Sequence, residues 1–124
     1  MEIVNTKRIL IAEDERMIGD MLHFELSSHG PQVTVARDGE EAIAQIESSP
    51  PDLLLLDLLM PKKSGYDVLE YLRSHNASFP VVVLSNLSDQ KEQQKCIELG
   101  AKEFLVKSRV DPDQLWGKLQ KHLV

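Results

Sequence analysis

Short apolar runs alternate with longer stretches of helical periodicity along the chain. Five runs have the length of a strand and occupy positions 8–12, 33–36, 53–56, 81–84 and 104–106. The run 53–56 consists of leucine alone, which is typical of a strand covered on both faces. The sequence therefore predicts five strands, and the third of them is covered on both sides.

The stretches between the strands have the spacing of helices, with apolar residues recurring every three or four positions. The first stretch places five apolar residues on one side of a helix, namely Met17, Ile18, Met21, Leu22 and Leu26. This helix is predicted to end near His29-Gly30-Pro31, where glycine and proline act as a stop signal.

Capping residues mark the starts of later helices. Asp38 and Ser64 each precede a helical pattern, and Asp111 is followed by Pro112, which suits the first helical position. A fourth helix, at about 89–99, carries mostly polar side chains, so we expect it to be loosely held. The last helix is predicted to run to the end of the chain, and core packing is favoured for Trp116 over a role as an interface anchor.

Alternating strands and helices predict an α/β fold with parallel strands, right-handed crossovers and helices on both faces of the sheet. For five strands, the doubly wound flavodoxin-like order 2-1-3-4-5 is the expected arrangement. The length of 124 residues suits one domain, so we predict a single domain over 1–124 with a core at about 7–123.

Composition narrows the classes of function. A net charge of −6 argues against direct, non-specific binding of nucleic acid, which needs a basic surface. No apolar stretch reaches the length of a membrane span, and the run at 9–12 is too short for a signal peptide. The single cysteine, Cys96, is expected to be a small packed side chain, and a cytoplasmic setting is expected.

Polar residues follow four of the predicted strands directly. These residues are Glu13-Asp14, Asp57, Ser85-Asn86 and Lys107-Ser108. In the expected strand order, strands 1, 3, 4 and 5 are neighbours, and ligands bind at the carboxyl ends of such strands. The sequence therefore predicts that two acidic ends, a hydroxyl and a lysine converge on one crevice.

The chemistry of this set suits phosphoryl transfer. Crowded carboxylates repel one another, and a hard cation such as Mg²⁺ with oxygen ligands relieves the repulsion. An aspartate can itself be the nucleophile, while a lysine and a hydroxyl neutralise and orient the phosphoryl group. Taken singly, Asp14 is as readily a solvated helix cap, Ser85 a turn residue and Lys107 a surface charge. The joint pattern favours a functional site.

At this point the sequence resembles the receiver domain of bacterial two-component response regulators, the family of the chemotaxis regulator CheY. The resemblance lies in four motifs at successive strand ends, ILIAED at 9–14, LDLLMP at 56–61, VLSN at 83–86 and FLVK at 104–107. Gly65, Gly100 and Ala101 also stand where the family tends to place them. The resemblance covers roughly 7–123.

The resemblance implies that Asp57 accepts a phosphoryl group from a sensor histidine kinase or a phosphotransfer protein. It also implies that Mg²⁺ is bound by Asp14, by Asp57 and by the backbone carbonyl of Leu59. Glu13 would then support the metal through water.

Further roles implied by the resemblance concern phosphoryl binding and switching. Lys107 would pair with the phosphoryl oxygens, and Ser85 would donate a hydrogen bond and move toward them. Phe104 would be the aromatic residue whose rotamer reports that movement. The output would be a shift between two conformations. A downstream effector or output domain would recognise this shift on the face formed by helix 4, strand 5 and helix 5. The chain itself would act as a monomer or as a phosphorylation-dependent dimer.

Several residues depart from the family's usual pattern. Glu13 replaces the commoner aspartate, Ser85 stands where threonine is common, and Phe104 lacks the hydroxyl of a tyrosine. Asn86 is larger than the small residue usual at its position, which predicts narrower access to the site. Leu59 and Leu87 are apolar where many members are polar, and we hypothesise that they shield the acyl phosphate from water.

Ser108 is a further departure, because the family usually has a cis proline after the lysine. A non-proline cis bond costs about 2.5–4 kcal/mol. Either the Lys107–Ser108 bond is cis and strained, or the loop 108–110 runs differently.

Three other functions remain as alternatives. The first is a pseudo-receiver that acts as an unphosphorylated interaction module, which the intact set of site residues disfavours. The second is a phosphohydrolase with an aspartate nucleophile, which usually needs a second acid where this chain has Leu59. The third is a flavin or dinucleotide binder, which the absence of a glycine-rich loop after strand 1 disfavours.

Overall fold

Five strands alternate with five helices in the computed structural model, which describes residues 7–87 and 89–123. In chain order these elements are β1 (Arg8–Ala12), α1 (Arg16–Ser27), β2 (Gln32–Ala36), α2 (Gly39–Ser48), β3 (Leu53–Leu56), α3 (Gly65–Ser74), β4 (Val81–Ser85), α4 (Gln90–Glu98), β5 (Glu103–Val106) and α5 (Pro112–Leu119). Two short 3-10 turns, Lys107–Arg109 and Gln120–His122, flank α5.

The strands form one parallel sheet in the order β2-β1-β3-β4-β5, which confirms the predicted topology. Alternate residues of a strand point to opposite faces, so each strand contributes to two separate cores. In β3, Leu54 and Leu56 pack with α2, α3 and α4, whereas Leu53 and Leu55 pack with α1 and α5. All four leucines of β3 are buried, as the uniform run predicts.

Local capping follows the sequence at α2 and α3. The Asp38 side chain accepts a hydrogen bond from the Glu41 N–H at the start of α2. Ser64 and Asp67 form a reciprocal capping box at the start of α3, so two N–H groups that the helix leaves open are satisfied. Pro112 takes the first position of α5 as predicted, but the Asp111 side chain makes no capping hydrogen bond.

The predicted apolar side of α1 is partly wrong. Leu22 and Leu26 are buried, whereas Met17 is 86% exposed and Met21 is 44% exposed. The helix packs on the sheet and against α5 through a narrow apolar stripe, and residues beside that stripe around the helix remain exposed. Phe24 is also exposed on this helix, at 75%.

Two predictions about single side chains in the helices are confirmed. Cys96 is fully buried, and burial raises the pKa of its thiol to about 11, so it stays protonated and packs as a small apolar group. Trp116 packs against the core and its ring stacks on His29 at a centroid distance of 5.0 Å.

The end of the last helix differs from the prediction. α5 ends at Leu119, and a 3-10 turn then brings Leu123 into the core. Within the described residues, no helix is both long enough and apolar enough to cross a membrane.

Candidate functional site

The carboxyl ends of the central strands bring the predicted acidic residues together. Beyond the end of β1, the Glu13 N–H donates to the Ala36 carbonyl at 2.9 Å. At the end of β3, the Asp57 N–H donates to the Ala12 carbonyl at 3.1 Å. These main-chain bonds extend the sheet by one residue, and they fix the backbone from which each carboxylate projects.

Three carboxylates face one another at this edge of the sheet. Glu13, Asp14 and Asp57 each offer an oxygen within 4.8 Å of the others. Glu13 and Asp57 are 1% and 7% exposed, whereas Asp14 is exposed to solvent. A group of hard oxygen donors that is buried on one side and open on the other fits Mg²⁺, which keeps several of its waters.

Lys107 reaches into the same group from the turn that follows β5. Its Nζ lies 2.6 Å from Glu13 Oε1 and 3.1 Å from Asp57 Oδ2, and its side chain is only 13% exposed. Burial acts to lower the pKa of Lys107, but the hydrogen bond with Glu13 and the charge of Asp57 outweigh burial and raise this pKa. The lysine is therefore a fixed cation at neutral pH. Its direct contact with Glu13 was not anticipated from the sequence.

Glu13 is the most enclosed acid of the group. Burial raises its pKa, against the lowering effect of the Lys107 hydrogen bond and of the Glu15 N–H, which donates to Glu13 Oε2 at 3.1 Å. A buried carboxylate needs such partners to remain ionised. Glu13 therefore joins the other two carboxylates to Lys107.

The backbone around Asp57 holds the carboxylate in place. Asp57 Oδ1 accepts the Leu58 N–H at 2.8 Å, which leaves Oδ2 directed to Lys107. The Gly65 N–H donates to the Leu58 carbonyl at 2.9 Å, and a methyl group at Gly65 would collide with the Asp57 carbonyl oxygen. Only glycine allows α3 to begin this close to Asp57.

Ser85 and Phe104 lie on the neighbouring strands. Ser85 is fully buried at the end of β4, and its Oγ accepts the Leu87 N–H at 3.3 Å. Phe104 is partly buried and packs against the core cluster shared by α2, α3 and α4. The predicted switch residues therefore both lie in the β4–β5 part of the sheet.

The conformation of the loop after Lys107 shows which of the two alternatives for the Lys107–Ser108 bond is correct. No peptide bond among the described residues is cis, and Lys107–Arg109 forms a 3-10 turn. The Ser108 N–H donates to Asn86 Oδ1 at 3.0 Å. Sequence reasoning missed this bond, although both residues depart from the family pattern at the ends of neighbouring strands.

Comparison with known proteins assigns the chain to a family. The family model described as response regulator receiver domain matches residues 9–120, so the chain belongs to this family. Response regulator receiver domains are parts of two-component systems and act as signalling switches rather than as conventional enzymes.

Curated relatives include longer proteins. The alkaline phosphatase synthesis transcriptional regulatory protein PhoP of Bacillus subtilis is 36% identical over 82% of this chain. A probable transcriptional regulator, ycf27 of Cyanophora paradoxa, is 36% identical over 97% of it. The matches cover 42% and 49% of these two proteins, so the chain spans about half the length of the curated relatives it matches.

Solved structures share the fold over almost the whole chain. A Francisella response regulator receiver domain has a TM-score of 0.89 at 27% identity and covers 95% of this chain and 97% of its own. The BeF3-activated receiver domain of Klebsiella pneumoniae RstA has a TM-score of 0.87 at 30% identity, covering 94% and 97%. These similarities support the CheY-like topology of the sheet.

Proposed function

We propose that Asp57 accepts a phosphoryl group from a phosphohistidine on a sensor histidine kinase or a phosphotransfer protein, in a Mg²⁺-dependent reaction. The observation that carries this proposal is the position of the Asp57 carboxylate, which lies within 4.8 Å of two other acids and 3.1 Å from the partly buried ammonium group of Lys107. A carboxylate oxygen of Asp57 would attack phosphorus while the bond from phosphorus to the histidine nitrogen breaks, giving an aspartyl phosphate.

The acidic group would hold the metal. Asp14, Asp57 and the backbone carbonyl of Leu59 are the proposed ligands, and Glu13 would act through a water molecule. When bound, Mg²⁺ would neutralise charge on the phosphoryl oxygens during transfer. Asp14 is exposed, so it is open to a hydrated ion arriving from solvent.

Lys107 and Ser85 would bind the transferred group. Lys107 already carries a fixed positive charge beside Asp57, and it would pair with the phosphoryl oxygens. The Ser85 hydroxyl accepts one hydrogen bond from the Leu87 N–H, which leaves its own proton free to be donated to a phosphoryl oxygen. Movement of Ser85 and a rotamer change of Phe104 would then carry the signal away from the site.

The output is proposed for the face formed by α4, β5 and α5. A partner or an output domain would recognise the conformation in which this face is shifted. The receiver domain would present this face either as a monomer or as a phosphorylation-dependent dimer. The relatives of about twice this length are named as transcriptional regulators, which is consistent with a receiver that controls a further domain.

Leu59 and Leu87 are proposed to slow hydrolysis of the aspartyl phosphate. Leu59 is 59% exposed, and Leu87 is partly buried against the core. Replacing Leu59 with asparagine should shorten the lifetime of the phosphorylated protein, because a polar side chain admits and orients water. A dephosphorylation rate that is unchanged or slower in Leu59→Asn would contradict this role.

The proposed function is tested by phosphorylation with acetyl phosphate, with and without Mg²⁺, and read by intact-mass spectrometry. Wild type should gain one phosphoryl group only with Mg²⁺, and Asp57→Asn should gain none. Asp113→Asn, which changes an exposed aspartate on α5, is the matched control and should behave as wild type.

Separate calorimetric titration with Mg²⁺ should show binding by wild type and weaker binding by Asp14→Asn. If folded wild-type protein binds Mg²⁺ but accepts no phosphoryl group from acetyl phosphate or from a histidine phosphotransfer protein, the function is an unphosphorylated interaction module instead.

A further inference from the structure

The two residues that depart most from the family pattern at the strand ends bind each other. Asn86 follows β4, Ser108 follows Lys107, and the Ser108 N–H donates to Asn86 Oδ1 at 3.0 Å. A proline at position 108 has no N–H to donate. The hydrogen bond therefore depends on both departures at once, since it needs the acceptor at position 86 and the donor at position 108.

This bond continues the connection between the two strands beyond the sheet. The pairing of β4 with β5 ends at Ser85 and Val106. The chain then turns away at Lys107–Arg109, where the Val110 N–H donates to the Lys107 carbonyl at 3.4 Å. The Asn86 side chain adds a hydrogen bond to this turn from the neighbouring strand.

The turn decides where the Lys107 side chain begins. Four rotatable bonds separate the Lys107 backbone from its ammonium group, so many positions are open to Nζ unless the backbone is fixed. In the structure Nζ lies between Glu13 and Asp57, at 2.6 and 3.1 Å. A backbone that is free to rotate at Ser108 would spread the ammonium group over a wider range.

We propose that Asn86 is a positioning residue for Lys107. By accepting the Ser108 N–H, the Asn86 amide holds the trans turn that directs Lys107 to Asp57. This inference rests on the proposed function for the consequence it predicts in phosphoryl transfer, but not for the geometry itself. A positioning role differs from the expectation that Asn86 merely narrows access to the site. Removal of a positioning residue slows phosphoryl transfer, whereas removal of an obstacle speeds it.

The geometry is tested by the chemical reactivity of Lys107 toward an amine-acetylating reagent, followed by peptide mass spectrometry. Asn86→Ala should raise the rate of Lys107 acetylation by about three-fold or more, the factor that corresponds to loss of one net hydrogen bond. The exposed Lys91 and Lys102 are internal controls and should be unchanged. Asn86 is itself exposed, so the variant is expected to fold. Equal acetylation of Lys107 in wild type and Asn86→Ala would overturn the proposal.

The partnership with Ser108 is tested by a double-mutant cycle. Ser108→Pro removes the donor N–H, and Ser108→Ala keeps it and is the matched control. Asn86→Ala should raise Lys107 acetylation in the wild-type and Ser108→Ala backgrounds, and should have no further effect in the Ser108→Pro background. An equal effect of Asn86→Ala in all three backgrounds would show that Asn86 does not act through Ser108.

The consequence for chemistry is tested by the rate of phosphorylation from acetyl phosphate in saturating Mg²⁺. Asn86→Ala should slow phosphorylation by about three-fold or more, and should have no further effect when Lys107 is already replaced by alanine. Faster phosphorylation of Asn86→Ala would overturn the positioning role and support the role as an obstacle. Absence of phosphorylation in wild type from both acetyl phosphate and a histidine phosphotransfer protein would overturn the proposed function alone, because the acetylation test of the geometry does not depend on it.

Discussion

Two parts of the chain on either side of β4, β3 with α3 and α4 with β5, are built very differently. In the first part all four residues of β3 are buried, and α3 buries Gly65, Val68, Leu69 and Leu72. In the second part, Cys96 is the buried residue of α4 and Leu105 is the buried residue of β5. The first part is central in the sheet, whereas β5 is an edge strand.

Polar contacts from the Tyr66 side chain connect α3 with α4. The Tyr66 hydroxyl of α3 donates a hydrogen bond to Glu92 of α4, and Lys95 Nζ lies 4.3 Å from the centre of the Tyr66 ring. Elements with few buried apolar contacts open and shift at lower free energy than buried ones. The part that carries Asp57, β3 with α3, is therefore suited to keeping the site geometry fixed. The part proposed for output, α4 with β5, is suited to changing its conformation.

The largest expected difference between the two parts is in core packing. Leu69→Ala in α3 should lower the free energy of unfolding by about 3 kcal/mol, because Leu69 is 1% exposed and its loss leaves a cavity. Cys96→Ala in α4 should cost about 1 kcal/mol, because a thiol fills a smaller volume. Urea denaturation of both variants measures the difference. Equal losses would show that α4 is as firmly packed as α3.

A smaller difference is expected between the two helix caps. Ser64→Ala at α3 and Asp89→Ala at α4 each remove a side chain that accepts a helix N–H. Both changes should cost about 1 kcal/mol locally. In α3 the loss should lower global stability, since this helix is part of the core. In α4 it should instead speed hydrogen exchange within 90–98 with little change in global stability. Global loss in both variants would contradict the distinction.

Loss of the hydrogen bond between Tyr66 and α4 should have a smaller effect on stability still. Tyr66→Phe removes the hydroxyl that binds Glu92 and keeps the ring beneath Lys95, so it should cost about 0.5–1 kcal/mol. Hydrogen exchange should quicken in 90–98 and stay unchanged in 65–74. Tyr71→Phe is the matched control, because the Tyr71 hydroxyl binds Glu47 of α2 and not α4. Faster hydrogen exchange of α4 in Tyr71→Phe as well would contradict a specific role for the bond between Tyr66 and Glu92.

The smallest expected effect is a pH dependence at β5. Burial acts to raise the pKa of Glu103, but the hydrogen bond from His122 and the charge of Lys121 outweigh it, so this pKa lies below its ordinary value of 4.5. A lowered pKa in the folded state means that the stabilisation is complete above the ordinary value and is lost as the pH falls through the folded value.

Replacing Glu103 with glutamine should therefore flatten the fall in unfolding free energy below about pH 4.5. Urea denaturation at several pH values measures this slope, and Glu70→Gln on the exposed side of α3 is the control. An acid dependence in Glu103→Gln equal to that of wild type would contradict the role of this ion pair.

Much of the fold follows from local pattern. The all-leucine β3, the caps at Asp38 and Ser64, and the alternation of strands with helices are read correctly because each depends on neighbouring residues. β2 and β5 each begin one residue before the predicted start, β4 ends one residue after the predicted end, and α5 ends before the predicted end. The exposure of Met17 and Met21 was missed, because apolar spacing does not state how wide a stripe the sheet covers.

The sequence by itself determined which residues stand at the strand ends, and hence that Asp14, Asp57, Ser85 and Lys107 belong to one edge of the sheet. Tertiary structure alone decided the contacts among them. Lys107 meets Asp57 across a separation of 50 positions, and Ser108 meets Asn86 across 22. Such contacts depend on the order of strands and on the direction of a single turn. The sequence shows which groups can donate or accept a hydrogen bond, but only the packed sheet brings each donor within bonding distance of its acceptor.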